Sequence, residues 1–433
     1  MEKKYVVIPP CSDFNRGDQA LVWETARFAH EAGFEGDFYF MAEAKEPVDQ
    51  SKEHGLKSTP PLLEHPSTHF KDKDNITMSL KILFKWGSIA VFDFIWSVLL
   101  LTPLRGVVAR LLGNRKQKVY QLFKDSSAVF VKGGGFVHSY GGVSAPYYMY
   151  FQLYHIFLAQ ALGKDVYICP NSFGPFEGLG VRWMVRKAFK NSKIVVAREG
   201  RSTQMCKKYL DSEVPTYPDF GFYLENGTGP AKDDFIKSQQ WPSDRKLVAI
   251  TARPHRFPHA ANPEKAYQLF IDSMQDFAKW LYNKGYYPVF IEHVYAINNH
   301  ENDGYCIDSI TAGLASGEFG YFKNRTLNCQ QLKLIYSYFD YIVGTRFHSM
   351  IFSMANGIPG IAITYVGNKG EGIMEDMDLG DYYIRIADVT AESLKNKFKY
   401  LLETEETAKS NISAYLSKAQ NKRDELIKKI HTV

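Results

Sequence analysis

The sequence predicts an α/β protein built as two Rossmann-like, doubly wound domains facing a cleft, and three observations predict it. At 433 residues the chain exceeds the size at which one hydrophobic core usually keeps growing. Short, fully apolar runs recur along it, each followed by a polar or glycine-rich loop and then a helical pattern. Strands of a parallel sheet covered on both faces read this way. The series occurs twice, and between its halves lies Glu225-Asn-Gly-Thr-Gly-Pro-Ala-Lys-Asp-Asp234, with the glycine, proline and charge of a linker. The expected division is residues 1–225, residues 226–390 and C-terminal helices over 391–433.

In the first half the strand runs are 5–8, 128–131, 166–169 and 194–197, and Pro9-Pro10 reads as the end of the first. In the second half they are 247–251, 287–291, 341–343 and 361–364. Near the C-terminus Leu394, Phe398, Leu401 and Leu402 make one apolar helix face, followed by a charged tail. One segment breaks the pattern. Residues 87–101 are apolar apart from Ser88, Asp93 and Ser97, too short and too interrupted for a span of about 20 apolar residues. Nine Lys/Arg against three Asp fall within 71–118. This insertion reads as a helix lying on an anionic membrane surface, with Asp93 opposing deep insertion. A buried helix pair or a dimer contact are the alternatives.

Composition excludes several classes. The formal charge is only +5, and no Lys/Arg block is long enough for a nucleic-acid arm, so no nucleic-acid partner is expected. The five cysteines are scattered, odd in number and without a Cys-x-x-Cys, which argues against a disulfide framework or zinc site and for a reducing, cytoplasmic compartment. No His/Asp ligand cluster stands out, so neither metal nor other cofactor is expected. Aromatic residues make up 15%. Their faces suit sugar rings, but they also fill large cores.

The chemistry-bearing residues cluster where strands end. After the strand at 341–343, Thr345 is placed to cap a helix whose first turn carries Arg346 and His348, and Asn356-Gly357-Ile-Pro359 stops it. Free N–H groups, an arginine and a histidine at a helix start make an anion site, unless Arg346 simply pairs with a local carboxylate. Three further loops fall at strand ends, where open α/β sheets bind ligands. Cys11-Ser-Asp-Phe-Asn15-Arg16-Gly17-Asp18 leads into a helix, with Asp18 a base or a cap. Lys132-Gly133-Gly134-Gly135-Phe136-Val137-His138 lets backbone approach a ligand, but is neither a dinucleotide fingerprint nor a Walker motif. Arg198-Glu199-Gly200-Arg201 offers arginines to phosphate or to Glu199.

Asn15-x-Gly17-Asp18, Gly133–Gly135, Asn171-Ser-Phe-Gly174-Pro175, Arg198-Glu-x-x-Ser202, Pro218-Asp219, Arg346-Phe-His348-Ser and Pro359…Tyr365-x-x-x-Lys369 come in one order. In that order the chain resembles the polysaccharide pyruvyl transferase family over roughly residues 5 to 380. Each motif is short, and their order is the specific signal. The insertion at 71–118 lies outside the shared pattern, and Phe347 stands where the family often has leucine.

The resemblance implies a glycosyltransferase-B-like fold, phosphoenolpyruvate as donor and a pyruvate ketal on a sugar as product. It maps the donor-binding residues to Arg198, Arg346 and His348, with Lys369 as a further phosphate contact. Asn15, Gly17, Gly134 and Gly135 would line the acceptor side or supply loop backbone. Ketal formation needs a proton donor, a base for the sugar hydroxyl and positive charge for the departing phosphate. His348 is the candidate donor and Asp18 the candidate base, with His138 behind it. The acceptor expected is a sugar on a polyprenyl-diphosphate carrier, met at the inner face of the cytoplasmic membrane. The competing readings are a nucleotide-sugar glycosyltransferase of the same shape and a non-catalytic subunit of a polysaccharide assembly complex.

Overall fold

The structure is a computed structural model that describes residues 2–42, 47–66, 80–296, 301–365, 367 and 369–432. Its residues form two compact units: Met1–Asp13, Leu21–Asp219 and Arg423–Val433 in the first, Phe14–Ala20 and Phe220–Lys422 in the second.

The first unit holds a parallel sheet of β1 (Lys4–Cys11), β2 (Asp37–Ala42), β3 (Lys57–Thr59), β4 (Ala128–Val131), β5 (Gly134–Tyr140), β6 (Asp165–Glu177) and β7 (Ile194–Ala197). Their order is β3-β2-β1-β4-β6-β5, with β7 also on β6. The chain moves outward from β1 to β3, then returns to β1's other side at β4. That reversal creates a switch point beyond the strand ends. Pro9-Pro10 does not end β1, contrary to expectation. The strand continues to Cys11, and its pairing with β2 skips from Val7↔Phe40 to Cys11↔Ala42, because prolines have no N–H for the ladder. Aromatic residues here are core: Tyr5, Phe34, Phe38, Phe130 and Tyr167 form one cluster with ring centroids 4.9 to 6.2 Å apart.

The second unit repeats the plan with β8 (Lys246–Thr251), β9 (Tyr286–Ile291), β10 (Gly320–Phe322), β11 (Tyr341–Gly344), β12 (Gly360–Thr364) and β13 (Tyr383–Arg385). All pairs are parallel, in the order β10-β9-β8-β11-β12-β13. This is the Rossmann order, with its switch point between β8 and β11. The helix Ala391–Glu403 belongs here, since Phe398 packs against Phe277, Trp280, Tyr286 and Tyr341.

The boundaries differ from those expected. The division falls at Asp219/Phe220, and the glycine-rich stretch lies inside the second unit. A β-carbon on Gly227 would fall 2.7 Å from the Gln331 backbone nitrogen, so the segment packs against a helix there. The last helix, Glu405–Thr432, is counted with the second unit to Lys422 and with the first from Arg423. In the first unit Arg423 pairs with Glu31 at 2.5 Å.

Of the insertion, residues 71–79 lie outside the described residues. The helix Leu80–Leu100 is longer than the apolar stretch suggested. Asp93 faces inward, contrary to expectation: it accepts from Trp96 Nε1 at 2.7 Å and lies 3.7 Å from Lys116 Nζ. A buried carboxylate needs such partners. No helix among the described residues is long and apolar enough to cross a membrane.

Candidate active site

The structure sorts the expected site residues into two sets. Asn15, Gly17, Asp18, Arg346, His348 and Lys369 lie in the second unit, and Gly134, Gly135, His138 and Arg198 in the first.

The second unit's set gathers at strand C-terminal ends around its switch point. β8 ends at Thr251 and β11 at Gly344, where a β-carbon would fall 2.8 Å from Thr251 Oγ1. Thr345 does not cap the following helix as expected. Its hydroxyl accepts from the Arg253 N–H at 2.9 Å and donates to the Thr251 carbonyl, because the neighbouring strand end is the nearer partner. Helix Phe347–Met354 therefore starts one residue later than expected, with Arg346 at its cap position. Gly357, at φ 77°, ends it as expected.

Arg346 is buried, and its guanidinium is held by carboxylates. Nε donates to Asp303 Oδ1 at 2.7 Å, Nη1 to Glu301 Oε2 at 3.1 Å and Nη2 to the Glu301 carbonyl at 2.6 Å. Burial alone would lower its pKa, but Asp303 and Glu301 outweigh that and raise it. Glu301 also takes Arg253 Nη2 at 3.2 Å, and Arg253 lies over the Tyr365 ring at 4.8 Å. Burial raises the Glu301 carboxyl, yet Arg346 and Arg253 hold it below its usual value.

His348 sits in the first turn, with Lys369 Nζ 3.4 Å from its Nδ1. The chain segment Phe14–Ala20 reaches the same ring from the start of the sequence. This segment bonds into the unit at three places. The Tyr295 N–H donates to the Phe14 carbonyl at 3.0 Å, Asn15 bridges to Val294, and the Cys329 N–H donates to Gln19 Oε1 at 2.8 Å. Asn15 caps the helix Arg16–Glu31 by accepting from the Asp18 N–H, and its Nδ2 donates to Asp18 Oδ2 at 2.9 Å. Asp18 is thus a helix-start carboxylate, near enough to Glu301 to raise its pKa. Gly17 is where the histidine fits: a β-carbon there would fall 2.2 Å from His348 Nδ1.

The sequence reading missed Arg253, Glu301, Asp303 and His293. Arg253 follows a buried strand end and was findable by the rule applied to the other loops. The remaining three follow β9, whose loop carries no motif. His293 is buried, and burial, then Arg346, Arg16 and Lys369, hold its imidazole far below its ordinary pKa. Burial keeps this histidine neutral first, and the three cations that add to the effect mark a positive local field.

In the first unit, three motifs resolve into one buried network. Asp219 Oδ2 accepts from Arg198 Nη1 at 2.7 Å, and Arg198 Nε donates to Ser172 Oγ at 2.8 Å. Ser172 donates to Glu199 Oε2 at 2.9 Å. Ser202 donates to Glu199 Oε1 and accepts from the Phe173 N–H at 2.7 Å. Arg198, Glu199, Ser202 and Asp219 all have 0% exposure. Arg198 therefore presents no surface to a ligand, contrary to the expected grip on phosphate. Its Nη2, buried and without a hydrogen bond among the described residues, lies 3.1 Å from where a Gly135 β-carbon would stand, next to the glycine loop. His138 bonds the Gly135 carbonyl through Nδ1 at 2.8 Å, and burial holds its pKa below the ordinary value.

A family model described as polysaccharide pyruvyl transferase matches residues 15–368, a range that holds every expected site residue except Lys369. The amylovoran biosynthesis protein AmsJ of Erwinia amylovora is 24% identical over 307 residues, covering 69% of this chain and 70% of that protein. Similar solved structures include a glycosyltransferase from Rickettsia africae, with 12% identity, a TM-score of 0.53 and coverage of 99% and 98% of the two chains. The UDP-GlcNAc 2-epimerase of Neisseria meningitidis, bound to UDP-GlcNAc, has 11% identity, a TM-score of 0.54 and full coverage of both. At such identities the likeness is one of fold, and it bears out the glycosyltransferase-B-like architecture.

Proposed function

Because the chain belongs to the polysaccharide pyruvyl transferase family, we propose that it takes a pyruvyl unit from phosphoenolpyruvate and closes it as a ketal on a sugar. The observation that carries this reading is the seating of His348 on Gly17, which brings the family's Asn-x-Gly-Asp and Arg-x-His motifs into one site. Arg253, Arg346 and Lys369 supply the positive charge that a carboxylate and a phosphate on one small molecule require.

In this reading Lys369 donates to Nδ1, so the neutral His348 ring carries its proton on Nε2. Nε2 passes that proton to the methylene carbon while Nδ1 takes one from Lys369. Positive charge then develops at the adjacent carbon. A sugar hydroxyl adds there and gives its proton to Asp18. A second hydroxyl of the same sugar displaces phosphate, which leaves carrying the second proton; the proton on Asp18 then returns to Nε2 as Nδ1 hands its own back to Lys369, restoring all three groups. Arg198 acts at a distance, from beside the Gly134-Gly135 loop. The acceptor is a sugar on a polyprenyl-diphosphate carrier, and the insertion at 71–118 brings the enzyme to the membrane where such carriers reside.

The test is mass spectrometry of candidate oligosaccharides after incubation with enzyme and phosphoenolpyruvate. The expected product gains one ketal-linked pyruvyl group, and His348→Ala forms none. A parallel thermal-shift screen should show stabilisation by phosphoenolpyruvate and not by UDP-, GDP- or CMP-sugars. Stabilisation by a nucleotide sugar alone would replace this reading with glycosyl transfer.

A further inference from the structure

The first unit carries a groove that no part of the proposed chemistry uses. It has a volume of about 1160 Å3, above the roughly 300–1,000 Å3 of small-molecule pockets. Helices Leu80–Leu100, Ala145–Ala161 and Val181–Lys190 contribute Val91, Phe94, Val98, Tyr147 and Trp183 to its walls, and the turn before the last helix contributes Leu179. The apolar surface continues onto the outside. Val143 is 103% exposed, Leu179 87%, Trp183 64% and Val91 60%. Phe84, Phe92 and Ile95 extend it along the first helix, and Leu104, Val107 and Leu111 form a second exposed stripe at helical spacing. Apolar exposure of this extent around one groove marks an interaction surface.

Charge identifies the occupant. Lys164 and Lys187 stand at the groove's edge, and Lys187 lies 5.2 Å from the Trp183 ring. Residues 181–193 hold five Lys/Arg and no acid, and residues 80–118 hold seven against Asp93 alone. Asp93 is turned inward onto Trp96, and Asp165, at the groove, is 3.9 Å from Lys193. Apolar residues flanked by cations, with a tryptophan at the boundary, match the interface of an anionic bilayer.

We propose that this face docks on an anionic lipid bilayer and that the groove takes the chain of a phosphate-headed lipid from it. The inference deepens the reading of a lipid-borne acceptor and extends the contact to 143, 164 and 179–193, beyond the insertion. Lys164 and Lys187 hold the phosphate at the edge while the chain lies along Val91, Phe94 and Trp183.

The experiment is flotation of the full chain with phosphatidylcholine vesicles, with and without phosphatidylglycerol. Binding should require phosphatidylglycerol and weaken with salt. Leu179→Asp and Trp183→Ala should each reduce it about tenfold with melting temperature unchanged, since both side chains are exposed. By calorimetry, dodecyl phosphate should bind the wild type and inorganic phosphate should leave this face unoccupied, with any heat from it unchanged in the Leu179 and Trp183 variants. Flotation indifferent to both variants overturns the proposal. So does a concentration-dependent dimer that the same variants abolish, which would make the face an interface between copies. Transfer to a water-soluble acceptor is measured alongside. If that fails while flotation behaves as stated, the proposed chemistry is wrong and the docking surface stands.

Discussion

Gly17 and His348, more than three hundred residues apart in sequence, are in such close contact that a β-carbon on the glycine would fall 2.2 Å from Nδ1 of the imidazole. Gly17 lies in the first turn of a helix, and its φ is not positive, so alanine fits its backbone. The constraint is the His348 side chain, its Cβ as well as its ring.

Gly17→Ala should therefore separate activity from stability. Helix propensity favours alanine by about 1 kcal/mol and overpacking opposes it by roughly 1–3 kcal/mol, so the net loss of stability is at most about 2 kcal/mol. The displaced ring, however, loses its alignment, and misplacement on the order of 1 Å costs about a hundredfold in turnover. Pyruvyl-transfer rates and thermal denaturation measured together decide it. Unchanged turnover would remove His348 from the reaction.

Arg198 and Arg346 should both prove structural on truncation, although a helix start such as Arg346's ordinarily carries little packing. Arg346→Ala removes the cation paired with buried Asp303, and Arg198→Ala removes the cation paired with Asp219. Breaking a buried pair costs about 3–5 kcal/mol. Urea unfolding should register a loss of that order for each. Donor affinity distinguishes them: in folded protein, phosphoenolpyruvate binding should weaken sharply for Arg346→Lys and little for Arg198→Lys, because only Arg346 is assigned to the donor.

A pH effect should arise in the first unit. His155 is buried, and its Nε2 accepts from the Leu62 N–H at 3.1 Å and the Leu63 N–H at 3.4 Å. Burial pushes its pKa down to about 3. The folded form thus stays neutral where the unfolded chain, with an ordinary pKa near 6.5, takes up a proton. Stability rises with pH from about 3 to about 6.5 and is level above, with a slope of about 1.4 kcal/mol per pH unit. Between pH 6.5 and pH 5 the wild type should lose about 2 kcal/mol that His155→Gln does not lose. Equal losses in both would assign the acid sensitivity elsewhere.

The strand runs were legible because their signal is local. Each of the eight apolar runs read from the sequence lies within a strand, since burial on both sheet faces requires uninterrupted apolar residues. The strands missed include β3, β10 and β13, of three residues each, too short for any periodic signal. β5 was read as a glycine loop because its glycines conceal its edge pairing with β6.

What the sequence by itself determined is the two-sheet α/β plan and the place of the candidate residues after the strand runs. Only the tertiary structure decided which of those residues share a site. Phe14–Ala20 belongs to the second unit because its backbone pairs with Val294 and Tyr295, a hydrogen-bonding choice invisible to periodicity. Arg198 and Arg346 look alike as arginines after buried strands. One is closed in by Asp219 and Ser172, the other tied to Asp303 and Glu301 beside His348. The difference lies in partners many residues away, which packing alone brings into contact.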